Sequence, residues 1–290
     1  MEGLIFYIVD VFAEKKLTGN QLAVVRNASS LSHNEMQQIA REINFSETTF
    51  ILSDKPRNGG YDVKIFTPQE EIPFAGHPSL GTAYIIKQEI INKDVDSLVL
   101  NLKVGQIPIT FENANTWVKQ IEPKFGEVIQ HERISKVLGL ELEEIDTKFK
   151  VQEVSTGLPF IIVPLKNLES IRRVKIQSNQ YYALIKEIEA KAILTFCPET
   201  YDARNELNVR VFAHYYGIPE DPATGSANGC LAGYLVKNEY FQGNEINVKV
   251  EQGYEMGRPS LLILKAKEEN EKMEIFVGGS VLMVAKGEFI

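Results

Sequence analysis

The sequence predicts an α+β protein of two pseudo-symmetric halves, each built from mostly antiparallel strands curled around a central helix. The leading observation is an internal repeat. Residues 63–80 read VKIFTPQEEIPFAGHPSL, and residues 209–229 read VRVFAHYYGIPEDPATGSANG. At an offset of 146 residues, Val63, Phe66, Ile72 and Pro73 meet Val209, Phe212, Ile218 and Pro219. Three extra residues then bring Gly76 opposite Gly225. The repeat extends upstream, where at an offset of 138 Thr18-Gly19 before LAVV meets Thr156-Gly157 before FIIV. Helix signals are also too few for a parallel doubly wound sheet, in which strand and helix alternate one to one. A length of 290 residues exceeds the usual single core, so two domains are expected.

In chain order, LIFYIVDVF reads as a buried strand, LTGN as a loop and QLAVV as a second strand. Ser32 with Glu35 forms a capping box that opens a helix running to about Arg41. NFSETTFIL reads as a strand with Glu47, Thr49 and Ile51 on one face and Thr48, Phe50 and Leu52 on the other. YDVKIFTP is a further strand, HPSLGTAYIIKQEI a helix, and LVLNLKVGQIPITFE a hairpin turning near Gly105. TWVKQIEP begins another strand. The Pro123/Gly126 break divides a first half, residues 1–122, from a second, residues 123–280. There, helices are expected at Ser135 to Leu140, Asn179 to Ala190 and Ser226 to about Lys237. Strands are expected at KVQEVSTGLPFIIVPL (a pair), AILTFCPE, NVRVFAHYY, INVKVEQG, PSLLILKAK, KMEIFVGG and VLMVAKGEF.

The composition, 44% hydrophobic and 24% charged, is that of an ordinary globular protein. A net charge of −8 without a Lys/Arg run argues against nucleic-acid binding. The opening MEGLIFYIVDVFAEKK lacks a basic n-region and a long apolar run, so no signal peptide or membrane span is expected and a cytoplasmic location follows by default. Cys197 and Cys230 show no disulfide spacing. No zinc-ligand set, Walker loop or dinucleotide fingerprint is present, so no metal and no organic cofactor is expected.

Three groups carry chemistry. Gly76-His77-Pro78 is a well-formed helix start whose first N–H groups are left open, the arrangement that binds anions. A purely structural helix start has no need of the imidazole of His77. Asp221 in DPATGS would by itself read as a cap, but it lies beside Gly225-Ser226, the counterpart of Gly76-His77. Thr224 and Ser226 add hydroxyl donors to an oxyanion-type cradle. Glu47, by residue type, is an exposed edge charge; partial burial would make it a proton shuttle. Glu70 and Glu71 read as solvated loop residues, His33 (in a polar helix start) and His131 (in a charged stretch) are not expected to be ligands, and His214 reads as a surface or core group.

Together these pieces resemble the PhzF-like phenazine-biosynthesis isomerases of the diaminopimelate-epimerase superfamily. DVFAEKKLTGNQLAVV, NFSETTF, DVKIFTP through PFAGHPSLGTA, STGLPF and EDPATGSANG occur in family order across nearly the whole chain. The resemblance implies two similar halves, each a mixed barrel-like sheet on a central helix, with the active site in the cleft. It implies that the C-terminal strand, within residues 281–290, returns to the first half, and that the protein is a homodimer. It also implies that Glu47 is the acid/base, that His77 and Asp221 support it, and that Gly76, Gly225 and Ser226 bind a substrate carboxylate. The related epimerases carry a cysteine on each loop, whereas here the loops carry His77 and Asp221.

The expected function is therefore a cofactor-independent double-bond shift on a small carboxylate, with Glu47 moving one proton on one face. Thr18, Asn20, Gln21 and Tyr215 are the loop residues expected to shape the site. The alternatives are an amino- or imino-acid racemase or epimerase, and a non-catalytic acid-binding protein of the same fold.

Overall fold

The structure, a computed structural model, describes residues 3–290, and residues 1 and 2 of the first half lie outside the described residues. The chain divides into two units, residues 1–119 with 278–290, and residues 120–277.

The first unit is a closed mixed barrel. Its strands are β1 (Leu4–Val11), β2 (Asn20–Val25), β3 (Thr48–Ile51), β4 (Tyr61–Phe66), β5 (Glu71–Ile72), β6 (Ser97–Leu102), β7 (Gly105–Glu112) and β8 (Asn115–Lys119). β1 pairs β2 antiparallel, β2 pairs β3 parallel and β3 pairs β4 antiparallel. The parallel step needs a crossover, which α1 (His33–Ile43) supplies. β4 then pairs β6 in parallel, and β6, β7 and β8 follow as antiparallel neighbours. The end of the chain closes the ring. Phe289 to Val281 lie opposite Leu4 to Val11, and Ser280 Oγ donates to Asn115 Oδ1 of β8 at 3.1 Å. Inside runs α2 (Gly76–Ile85), whose residues are buried on nearly every side. A helix apolar all round belongs in an interior. α1 lies outside and packs Met36, Ile39 and Ala40 against Phe50 and Phe66.

The second unit repeats the order. β9 (Lys124–Ile129), β10 (Val151–Ser155) and β11 (Pro159–Pro164) are antiparallel neighbours, and β12 (Ala192–Cys197) joins β11 in parallel. β13 (Leu207–Ala213) pairs β12 antiparallel and carries the short β14 (Ile218–Asp221). β13 pairs β15 (Glu245–Gln252) in parallel, and β15 pairs β16 (Ser260–Glu269) antiparallel. Asn270 and Glu271, both at positive φ, turn the chain into the last strand, β17 (Lys272–Phe289). The central helix is α6 (Gly225–Lys237). Three outer helices, α3 (His131–Leu138), α4 (Leu168–Arg173) and α5 (Ser178–Ile185), cover a second apolar cluster that includes Ile134, Leu138, Ile171, Tyr181, Leu184 and Ile193. No described helix is long and apolar enough to cross a membrane.

Several expected elements differ. KMEIFVGG and VLMVAKGEF are one continuous 18-residue strand, not two. A Cβ at Gly278 would lie 2.3 Å from the Trp117 ring, so the glycine admits an indole against an unbroken strand. Glu47 precedes β3 rather than lying within it. α1 runs two residues past Arg41, to where Asn44 takes a left-handed conformation. α3 starts at His131, four residues early, and ends at Leu138 where Gly139 turns left-handed. α5 stops at Ile185 instead of Ala190, and α2 continues as a π-helical segment, Ile86–Ile91. The short α4 and β14 were not expected from the sequence.

Candidate active site

In the first unit, α1 anchors the loop that carries Gly76 and His77. Gln37 Nε2 donates to Thr67 O at 2.9 Å, Arg41 Nε donates to Pro68 O at 3.1 Å, and His33 Nδ1 lies 3.2 Å from Glu71 Oε2. The chain then enters α2 from an extended Ala75 that offers no side-chain cap, and no acid stands in the first turn. Pro78 has no N–H, and Ser79 N–H bonds Ala75 O. The N–H groups of Gly76 and His77 are thus the open donors of a buried helix start.

His77 is 5% exposed. Burial pushes its pKa down to about 3, against an opposing hydrogen bond with the Gln21 backbone, so the imidazole is neutral at physiological pH. Asn20 Nδ2 lies 3.4 Å from its Nδ1. Its Nε2 lies 3.4 Å from Glu47 Oε2, and the Glu47 side chain is 14% exposed. With a neutral ring this contact is a polar one and not an ion pair. Glu47 is held by its flanks: Asn44 ends α1, and Thr82 of α2 donates from Oγ1 to Thr49 Oγ1 of β3 at 2.7 Å. The helix that carries His77 is therefore bonded to the strand that follows Glu47.

In the second unit, β14 ends at Asp221, paired with Val211 of β13. Thr224 Oγ1 donates to Asp221 Oδ2 at 2.5 Å, and Thr224 is the extended residue before α6. No side chain caps this helix and no acid occupies its first turn. The first amide that turns back into the helix is that of Asn228, bonded to Thr224 O, which leaves Gly225, Ser226 and Ala227 as its open N–H donors. Each unit thus pairs an uncapped N-terminus with a carboxylate: Gly76, His77 and Glu47 in one, Gly225, Ser226 and Asp221 in the other.

Sequence reasoning missed Gln252, which is fully buried at the end of β15 and bonds both Asp221 and Thr224. Its signal was legible: Ile246, Val248, Val250 and Gln252 share one strand face, and only the last is polar. Of the loop residues expected to shape the site, Asn20 contacts His77, whereas Tyr215 is 56% exposed. His131 bonds Phe149 O at 2.9 Å. Both cysteines are buried thiols, with pKa values pushed up by desolvation to about 12 at Cys197 and about 11 at Cys230. No group of three His, Cys, Asp or Glu suited to a metal occurs among the described residues.

A family model described as "Phenazine biosynthesis-like protein" matches residues 9–287. A trans-2,3-dihydro-3-hydroxyanthranilate isomerase of Pseudomonas fluorescens is 33% identical over 292 residues, covering 98% of this chain and 99% of that protein. An uncharacterized isomerase of Clostridium acetobutylicum is 31% identical, covering 98% and 97%. The crystal structure of a Bacillus anthracis phenazine biosynthesis protein of the PhzF family superposes with a TM-score of 0.90 at 31% identity, covering both chains fully.

Proposed function

The chain belongs to the phenazine biosynthesis-like PhzC–PhzF family, and from that membership we propose that it is an isomerase in which Glu47 moves a proton on a small carboxylate substrate. The observation that supports the reading most is the 3.4 Å contact between Glu47 Oε2 and a buried, neutral His77 at the open N-terminus of α2.

A C–H bond beside an unsaturated or carboxylate-bearing carbon is a weak acid. Open helix N-termini offset the negative charge that grows as the proton leaves. Glu47 takes the proton from one carbon and returns it to another on the same face; the double bond shifts and every atom is retained. The neutral imidazole contributes a polar neighbour with no positive charge. Within the second unit, Asp221 and the amides of Gly225 and Ser226 are proposed to serve turnover as well. Neither cysteine suits a two-thiol racemase, because burial keeps both thiols protonated. The functional assembly is proposed to be a homodimer, which sedimentation analysis tests.

The relative's name supplies the first substrate class to try: a ring carboxylate with a movable double bond. Incubation in D₂O tests the reaction. Wild-type protein is expected to shift the double bond and to carry in deuterium in proportion to the exchange of the Glu47 carboxyl proton with solvent before its return. Glu47→Gln is expected to do neither, and a Glu47→Gln protein with full turnover would end the assignment.

A further inference from the structure

We infer that Gln252 is a positioning residue that aims the Thr224 hydroxyl at Asp221 and holds the loop before α6 in the shape that leaves the helix N-terminus open. The inference rests on the reading above for its link to catalysis, but its geometry stands on the second unit alone.

Gln252 is fully buried and makes four hydrogen bonds, the full capacity of its amide in ordinary geometry. Its Oε1 accepts from Thr224 N at 3.1 Å and from Asn228 Nδ2 at 2.9 Å. Its Nε2 donates to Asp221 O at 2.7 Å and to Thr224 Oγ1 at 3.1 Å. Two of these partners are backbone atoms with one possible role each: an amide N–H only donates and a carbonyl only accepts. They fix which end of the Gln252 amide is oxygen without appeal to any movable proton.

The Thr224 hydroxyl then has one arrangement left. Its oxygen receives the N–H of Gln252, so its own hydrogen goes to Asp221 Oδ2, 2.5 Å away. A carboxylate oxygen that accepts a short O–H bond is held as an acceptor in a set rotamer. Gln252 thereby orients Asp221 through an intermediary that touches it. The backbone adds to the clamp. Gly253, at φ +78°, presses on the loop so closely that a Cβ there would lie 2.6 Å from Pro222 O and 2.5 Å from Arg258 O. Asn228, the fourth residue of α6, ties the same amide to the first turn by also donating to Thr224 O at 3.0 Å. The side chain and amide of the cap residue Thr224 are thus satisfied by Gln252 and Asp221, and none of the first three N–H groups is drawn into a cap.

The test follows the Asp221 carboxyl carbon by ¹³C NMR as pH is varied, and kcat and KM in parallel. Gln252→Met is expected to move the Asp221 midpoint upward, and Thr224→Val to move it likewise. The double variant should move it no further, because both changes cut the same chain. Thr224→Ser, which keeps the hydroxyl, is expected to restore the wild-type midpoint. In turnover the singles should lose up to about a hundred-fold in kcat with KM unchanged. A general packing role would instead give two effects that add. Additive shifts, or an unmoved Asp221 midpoint in folded Gln252→Met, would overturn the inference. Should Gln252→Met fail to fold, Thr224→Val leaves the other three bonds of Gln252 in place, and an unmoved midpoint there overturns it equally. Full turnover by Glu47→Gln would remove the catalytic reading while leaving the Asp221 titration to decide the role of Gln252.

Discussion

His77 Nε2 lies 3.4 Å from Glu47 Oε2, yet the imidazole is uncharged, because burial has pushed its pKa down to about 3. The pair therefore behaves differently from the ion pair its distance suggests. A protonated histidine would hold the carboxylate as an anion with little basicity. A neutral one is a polar neighbour that carries no positive charge.

Replacing Glu47 by Gln keeps the shape and removes the base. The expected loss is about two to four orders of magnitude in turnover, with the folded state retained by circular dichroism. Wild-type deuterium incorporation in the variant would contradict the assignment.

The state of His77 sets a pH dependence whose sign is fixed. In the unfolded chain the ring titrates near its ordinary 6.5, whereas in the folded chain it stays neutral to about 3. Between those values the unfolded state binds the extra proton, so acidification favours unfolding. The His77 contribution to stability is fully present above about pH 6.5 and declines as pH falls toward 3. Urea unfolding of wild type and His77→Phe across this window measures it, and the variant should lose less stability on acidification. Ring carbon shifts of His77 should show no titration between pH 5 and 8.

The open N-terminus of α2 can be closed on purpose. Ala75→Asp supplies the missing cap and a negative charge at the helix start, worth about 0.5–2 kcal/mol of stability. The same charge opposes a substrate carboxylate. A higher melting temperature with a raised KM is expected, and an unchanged KM would show that this end does not meet the substrate.

Gly278→Ala places a methyl group into the indole of Trp117, since a Cβ would approach its ring to 2.3 Å. Overpacking of this kind costs about 1–3 kcal/mol. Chemical denaturation measures the loss, and Gly278→Ala combined with Trp117→Phe should regain part of it.

The duplicated strand–glycine–helix pattern was legible because it rests on local chemistry: glycine at a helix start, alternation in a strand, a Ser-Glu capping box. The box at Ser32 and Glu35 is present as read, with Glu35 N–H donating to Ser32 Oγ. The family resemblance held for the same reason, since it depends on residues that stay in order along the chain. Element ends were less legible. The sequence breaks the last strand in two after Gly279 where the structure runs unbroken, and the stop of α5 at Ile185 has no local marker among alanines and glutamates.

What the sequence determined by itself was the α+β class, the twofold repetition and the residue types gathered at each helix start. Those follow from periodicities and backbone preferences that act within a few positions. What only the tertiary structure decided was the charge of His77, the direction of the Thr224 hydroxyl and the service of Gln252 to Asp221. Desolvation and hydrogen-bond saturation are properties of surroundings, and residues 28 positions or more apart in the chain supply those surroundings.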